Sequence, residues 1–180
     1  MIRYAALLRG IAPSGKNQSN AELRGVFDSL GFERVSSVLA SGNIIFSSDN
    51  EDVPALERSI EEGLIRDLGL RSRTIVRSHA ELRRLLDSDP FPGLTHGRGT
   101  YLTATFLKDA AQAPIDVPSA AGLTRIVGYD PDARAILAIT DNSVPGQTPD
   151  FMAASERTLG RDITTRTWLT VQRIVAKLES

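Results

Sequence analysis

The chain contains no cysteine. That absence removes disulfides, thiolate metal sites and cysteine nucleophiles together. Aromatic residues are only 6% of the 180 positions, and the first half lacks the paired aromatic strand signature on which RNA bases stack. Neither sign of charge is in excess: 21 basic and 22 acidic residues give a net charge of −1. A general polyanion binder shows a basic surplus, so the sequence carries no strong nucleic-acid signal. No apolar run is long enough for a membrane span. The N-terminal stretch MIRYAALLRGI is broken at Arg9 and is too short for a signal peptide. The two histidines, His79 and His96, form no H-x-H or H-x-x-x-H pair, so a histidine metal site is not expected. A G-x-S-x-G nucleophile elbow is also missing. These absences leave a cytoplasmic protein of ordinary globular composition, 41% hydrophobic and 24% charged, as the expectation.

What is present reads as alternating strands and helices. Ile2 to Leu8 is a compact apolar strand. Ser19-Asn20-Ala21-Glu22 forms a capping box, after which Leu23, Val26, Phe27 and Leu30 recur at helical spacing until Gly31. Val35–Leu39 and Ile44–Ser48 read as strands joined by the turn Ser41-Gly42-Asn43. Asp52 and Pro54 open a second helix with an apolar stripe from Val53 through Leu56, Ile60 and Leu64 to Leu68, closed by Gly69. A strand follows over Arg73–Arg77. The order β-α-β-β-α-β predicts a ferredoxin-like unit with both helices on one sheet face. In that unit the end of the first strand and the Ser41-Gly42-Asn43 turn are expected at opposite ends of the sheet.

A second capping box, Ser78-His79-Ala80-Glu81, begins the remainder. Strands are expected over 101–107, 123–129 and 134–140, the last two joined by the Asp130-Pro131-Asp132-Ala133 turn. Residues 114–122 are read as a short helix, 151–159 as a helix, 163–164 as a short extended piece and 168–178 as the last helix. The fold class is therefore α+β in two packed subdomains. The first, residues 1–77, is the ferredoxin-like unit. The second, 78–180, is a mixed sheet with helices. No repeat between the halves is evident in the sequence.

The candidate site lies in LLRGIAPSGKNQ, residues 7–18. Gly15-Lys16-Asn17 resembles the end of a Walker A loop. However, Asn17 replaces the hydroxyl that would hold magnesium, Pro13 removes a backbone donor, and the helix starts later than that motif requires. A simpler chemistry survives. Arg9 and Lys16 bracket a loop with backbone N–H groups just ahead of a helix N-terminus, the ingredients of an anion site. The alternative is a polar connection that needs glycine for its turn. Asn43 either serves its hairpin or reaches the same cleft. Thr164-Thr165-Arg166, ahead of Thr167 as N-cap, either caps the last helix or presents two hydroxyls and a guanidinium to an anion. Trp168 falls at core spacing with Val171, Val175 and Leu178. Arg98, beside His96 in a glycine-rich loop, is read as solvated.

LLRGI, GKN, a capped helix ending in LGF, SGNIIFSS and TTRTW together resemble the DUF1697 family of uncharacterised bacterial proteins, over nearly the whole chain. The family pattern near the start runs closer to R-G-I-N-V-G-G-K-N. Here Arg9, Gly10, Ile11, Gly15, Lys16 and Asn17 match, while Ala12, Pro13 and Ser14 depart from it. Near the end the pattern is T-T-R-N-W-N-T-V, with Thr167 and Leu169 replacing its two asparagines. The resemblance implies an α+β fold of two subdomains and no established activity. The reading that follows is a small anionic or phosphate-bearing ligand held by Arg9, Lys16, Asn17, Asn43 and Arg166. No metal is expected, no cofactor is named, and no residue is assigned as a catalytic base. The alternative is a nucleic-acid or protein-interaction module without catalysis. Neither oligomeric state nor enzymatic activity is fixed by the sequence.

Overall fold

The structure, a computed structural model, describes residues 1–109, 122–143 and 151–180. The short helix expected over 114–122 falls, but for Gly122, outside the described residues. Contacts divide the chain into two compact units. One comprises Met1–Leu82 with Arg173–Ser180, the other Arg83–Gln172.

In the first unit the elements run β1 (Ile2–Leu8), α1 (Asn20–Ser29), β2 (Glu33–Ser37), β3 (Asn43–Ser48), α2 (Val53–Leu68), β4 (Thr74–Ser78) and the start of α3 (His79–Asp87). The α+β class and the order β-α-β-β-α-β are as the sequence indicates. Local chemistry sets the ends. Ser19 accepts from the Glu22 N–H while the Glu22 carboxylate accepts from the Ser19 N–H, a complete capping box. Asp52 caps α2, with Pro54 in its first turn, and Gly69 closes it in the left-handed conformation.

The sheet order is β2-β3-β1-β4, and every neighbouring pair is antiparallel. β1 and β2 both run antiparallel to β3, which lies between them, so they point the same way. Their C-terminal ends therefore share one sheet end, and the Leu8 N–H donates to the Gly42 carbonyl at 2.8 Å. This corrects the expectation that the first strand's end and the Ser41-Gly42-Asn43 turn lie at opposite ends. Because α1 returns the chain before β2 begins, the loop after β1 and the turn after β2 are neighbours.

Both helices cover one face. Leu23, Val26 and Phe27 of α1 and Leu56, Ile60 and Leu64 of α2 bury against Tyr4, Ala6, Leu8, Ile44, Phe46 and Val76. Each buried Leu, Ile, Val or Phe among them stabilises by about 1.5–3 kcal/mol relative to exposure. Gly63 permits the close approach of the helices: a Cβ there would stand 3.0 Å from Val26 Cγ1. The alternate positions Ala5, Leu7, Ile45, Ile75 and Arg77 are buried as well.

The second unit contains the end of α3, then β5 (Thr100–Leu107), β6 (Thr124–Asp130), β7 (Ala135–Asp141), α4 (Phe151–Leu159), β8 (Ile163–Thr167) and the start of α5 (Trp168–Glu179). Its sheet order is β6-β7-β5-β8, again all antiparallel. With strands taken in chain order, this is the connectivity of the first unit. The registers agree too. Ala5 pairs with Arg77 across β1 and β4, and Ala104 pairs with Arg166 across β5 and β8. Arg9 donates its N–H to Arg73, and Lys108 donates its N–H to Asp162. Ser78 and Thr167 then cap the helices that follow. The chain is built from one topology used twice.

Candidate functional site

Three segments meet at the C-terminal end of β1. Arg9 is fixed through its main chain: its N–H donates to the Arg73 carbonyl at 2.9 Å, and its carbonyl accepts from Ser72 Oγ at 2.8 Å. On the other side stands the β2–β3 turn. Gly42 has φ +76°, and a Cβ there would lie 2.6 Å from Ile11 Cγ1 and 3.0 Å from Leu8 Cβ. The loop after β1 thus rests directly on a bare glycine.

The loop holds its own shape. Gly10 adopts φ +72°. The Gly15 N–H donates to the Ala12 carbonyl at 2.8 Å, and Gln18 Oε1 accepts from the Ala12 N–H at 2.8 Å. Asn17 is left-handed at φ 59°, a conformation asparagine tolerates better than most residues. Its Nδ2 donates to the Leu68 carbonyl at 3.1 Å, tying the loop to the end of α2. Lys16 lies on the exposed crest.

Beside the loop lies Arg71-Ser72-Arg73, whose last residue the sequence places at the start of a strand and whose arginines it does not mark as site residues. A pocket of about 250 Å³ is lined by Glu61, Ile65, Arg71, Ser72 and Arg73. Glu61 and Ile65 stand one helical turn apart on α2, on one face. Ser72 is buried and its hydroxyl is spent on the main chain, whereas Arg71 and Arg73 are exposed. Arg71 and Arg73 thus both line this pocket. Glu61 Oε1 accepts from the Thr74 N–H at 2.9 Å, which fixes that carboxylate against β4. The Thr74 hydroxyl is buried without a hydrogen-bond partner. The available signal was the Arg-Ser-Arg alternation just ahead of a strand.

Asn43 is fully buried, and its Nδ2 donates to the Val38 carbonyl and to Ser41 Oγ, both at 3.0 Å. It braces the turn from inside. Arg166 belongs to the second unit. Thr164, Thr165 and Arg166 lie in β8, which runs on to Thr167, so the extended piece expected at 163–164 is longer than its sequence showed. Thr165 shares a hydroxyl bond of 2.8 Å with Thr105 across the sheet. Arg166 Nη1 donates to Thr164 Oγ1 at 2.7 Å and to the Thr165 carbonyl at 3.1 Å. Burial pulls its pKa down to about 10. Arg77, at the matching register position, donates from Nη1 to the Val76 carbonyl at 2.7 Å.

Trp168 is core, as its spacing indicates, and meets Phe91 edge-on at 5.2 Å. His96 accepts from the Leu102 N–H and stacks on Tyr101. Among the described residues no group of histidine, aspartate or glutamate could hold a metal ion, and no helix is long and apolar enough to cross a membrane.

The family model described as "Protein of unknown function (DUF1697)" matches residues 1–123. Among solved structures, the chain is similar to the conserved bacterial protein SP0830 from Streptococcus pneumoniae. The TM-score is 0.70 at 20% sequence identity, covering 100% of this chain and 99% of that one. At that identity the likeness concerns the fold alone. Among curated proteins none matches.

Proposed function

Because the chain belongs to the DUF1697 family, whose description states no activity, we propose its role from the site: the first unit binds a small phosphate-bearing anion in the cytoplasm. One observation carries the reading. Arg71 and Arg73 both line one pocket, and Arg9 is stitched to that segment through its main chain, its N–H donating to the Arg73 carbonyl and its carbonyl accepting from the Ser72 hydroxyl. Paired guanidiniums are the geometry that grips phosphate oxygens in bidentate fashion. Lys16, mobile on its aliphatic stem, adds a point charge from the loop crest. Asn17 holds that loop rather than the anion, since its amide is bonded to Leu68.

The test is titration with inorganic phosphate, followed by amide chemical shifts. Phosphate should move the resonances of residues 9–17 and 71–74. The double variant Arg71→Ala/Arg73→Ala should lose at least tenfold in affinity while its melting temperature stays within about 2 °C, as expected for exposed residues. Resonances that move instead around an oligonucleotide, with steep salt dependence, would replace this reading with a nucleic-acid surface.

A further inference from the structure

We infer that Gln18 is a built-in competitor for the anion: its side-chain amide holds the main-chain donor that a phosphate oxygen takes, and binding swings it out. The inference rests on the anion-site reading above and adds what the phosphate has to displace.

Gly15 provides the first observation. Glycine is commonly required where the backbone turns left-handed, and Gly15 does not turn that way. What requires it is contact. A Cβ there would lie 2.5 Å from Gln18 Cδ, 2.6 Å from its Nε2 and 2.8 Å from its Oε1. The Gln18 amide therefore rests directly on the bare Gly15 backbone.

The second observation is what the amide does in that place. Gln18 Oε1 accepts from the Ala12 N–H at 2.8 Å. The Gly15 N–H closes the same turn onto the Ala12 carbonyl at 2.8 Å. Among the described residues the Gln18 side chain makes no other hydrogen bond. One bond and one contact hold it, and the Gly15–Ala12 and Asn17–Leu68 bonds keep the loop in shape when it leaves.

Chemistry supplies the third step. Main-chain N–H groups are the donors that anion-binding loops offer. A charged oxygen bonds to such a donor more strongly than a neutral amide oxygen does. Ala12 is exposed, and so is Lys16, the residue directly after Gly15. A phosphate that takes the Ala12 N–H gains a charge-assisted bond beside a cation and displaces a neutral one.

The experiment titrates inorganic phosphate into the wild type, Gln18→Ala, Gly15→Ala and Gln18→Glu, with amide chemical shifts giving each dissociation constant. Gln18→Ala removes the amide. Gly15→Ala keeps it but evicts it at little strain, because the atoms nearest the new Cβ all belong to the end of the flexible Gln18 side chain. Both should tighten phosphate binding by about three- to tenfold, the strength of one neutral hydrogen bond. Gln18→Glu should weaken it by about fivefold or more, because a carboxylate holds the Ala12 N–H more strongly and repels the anion. The Ala12 amide should exchange slowly in the wild type, quickly in Gln18→Ala, and slowly again in that variant with saturating phosphate. Circular dichroism checks that each variant is folded. Weaker or unchanged binding in Gln18→Ala and Gly15→Ala would overturn the inference and leave the anion site standing, with Gln18 as a brace of the loop. No phosphate binding by any of these proteins would overturn both.

Discussion

Gly42 carries two constraints at once, a left-handed backbone and a surface pressed against Ile11 and Leu8. Gly10 carries the first without the second: its φ is +72°, and nothing lies within 4 Å of where a Cβ would sit. The comparison separates strain from contact. Gly10→Ala should cost about 1–2 kcal/mol, the price of a left-handed L-residue. Gly42→Ala should cost about 2–4 kcal/mol, because overpacking adds to that strain. Urea midpoints at unchanged m-value measure both. Arg166 gives a second residue-scale expectation. Its pKa is lowered to about 10 by burial. The folded state thus releases this proton before the unfolded state does. Its charge opposes folding below about pH 10, and the opposition is relieved as pH rises above that value. Stability of the wild type relative to Arg166→Met should therefore climb above about pH 10 and stay flat between pH 6 and 9. Denaturation curves of the two proteins across that range decide it.

At the scale of elements, α2 does more than cover the sheet. β4 is an edge strand, bonded to β1 on one side only. On its free side the Val76 N–H donates to Glu57 Oε1 and the Thr74 N–H to Glu61 Oε1, both at 2.9 Å. Glu57 and Glu61 stand one turn apart on α2, as Thr74 and Val76 stand one pleat apart on β4. Two carboxylates thus stand in for a neighbouring strand and close the edge to other chains. Glu57 is only 3% exposed, so Glu57→Ala leaves a buried N–H unpaired. It should cost about 1–3 kcal/mol and raise the tendency to associate; Glu57→Gln should recover most of both. Chemical denaturation and light scattering report the two effects. Most elements were legible because their ends carry local chemistry: the Ser19 and Ser78 boxes, Asp52 with Pro54, Gly69, and the Asp130 turn whose side chain accepts from the Ala133 N–H. β8 was harder. Thr-Thr-Arg-Thr has neither alternation nor an apolar run, and it is a strand because β5 supplies its partners. The site was legible by halves. Arg9 and Lys16 stood in a glycine-rich loop that drew attention. Arg71 and Arg73 joined them only through strand pairing, which one sequence does not display.

At the scale of the whole molecule, one topology recurs with few shared residues. The positions that agree are the arginines at 77 and 166, the hydroxyl caps at 78 and 167, and the small alanines at 5 and 104 opposite each arginine. Elsewhere a position asks only for apolar volume, which Leu, Ile, Val and Phe all supply, so the repeat left almost no trace in the sequence. The same scale explains why the last residues matter to the first unit. Arg173–Ser180 belong to it. Arg3 Nη2 donates to the Lys177 carbonyl at 3.1 Å and Arg34 Nη2 to the Ser180 carbonyl at 3.2 Å, placing positive charge at the negative pole of α5. Leu178 is 4% exposed. Leu178→Ala should cost about 2–5 kcal/mol. Because residue 178 counts with β1 to β4, amide exchange should quicken first in those strands, ahead of β5 to β8. Uniform acceleration across both sheets would show instead that the two units open together, as a single cooperative structure.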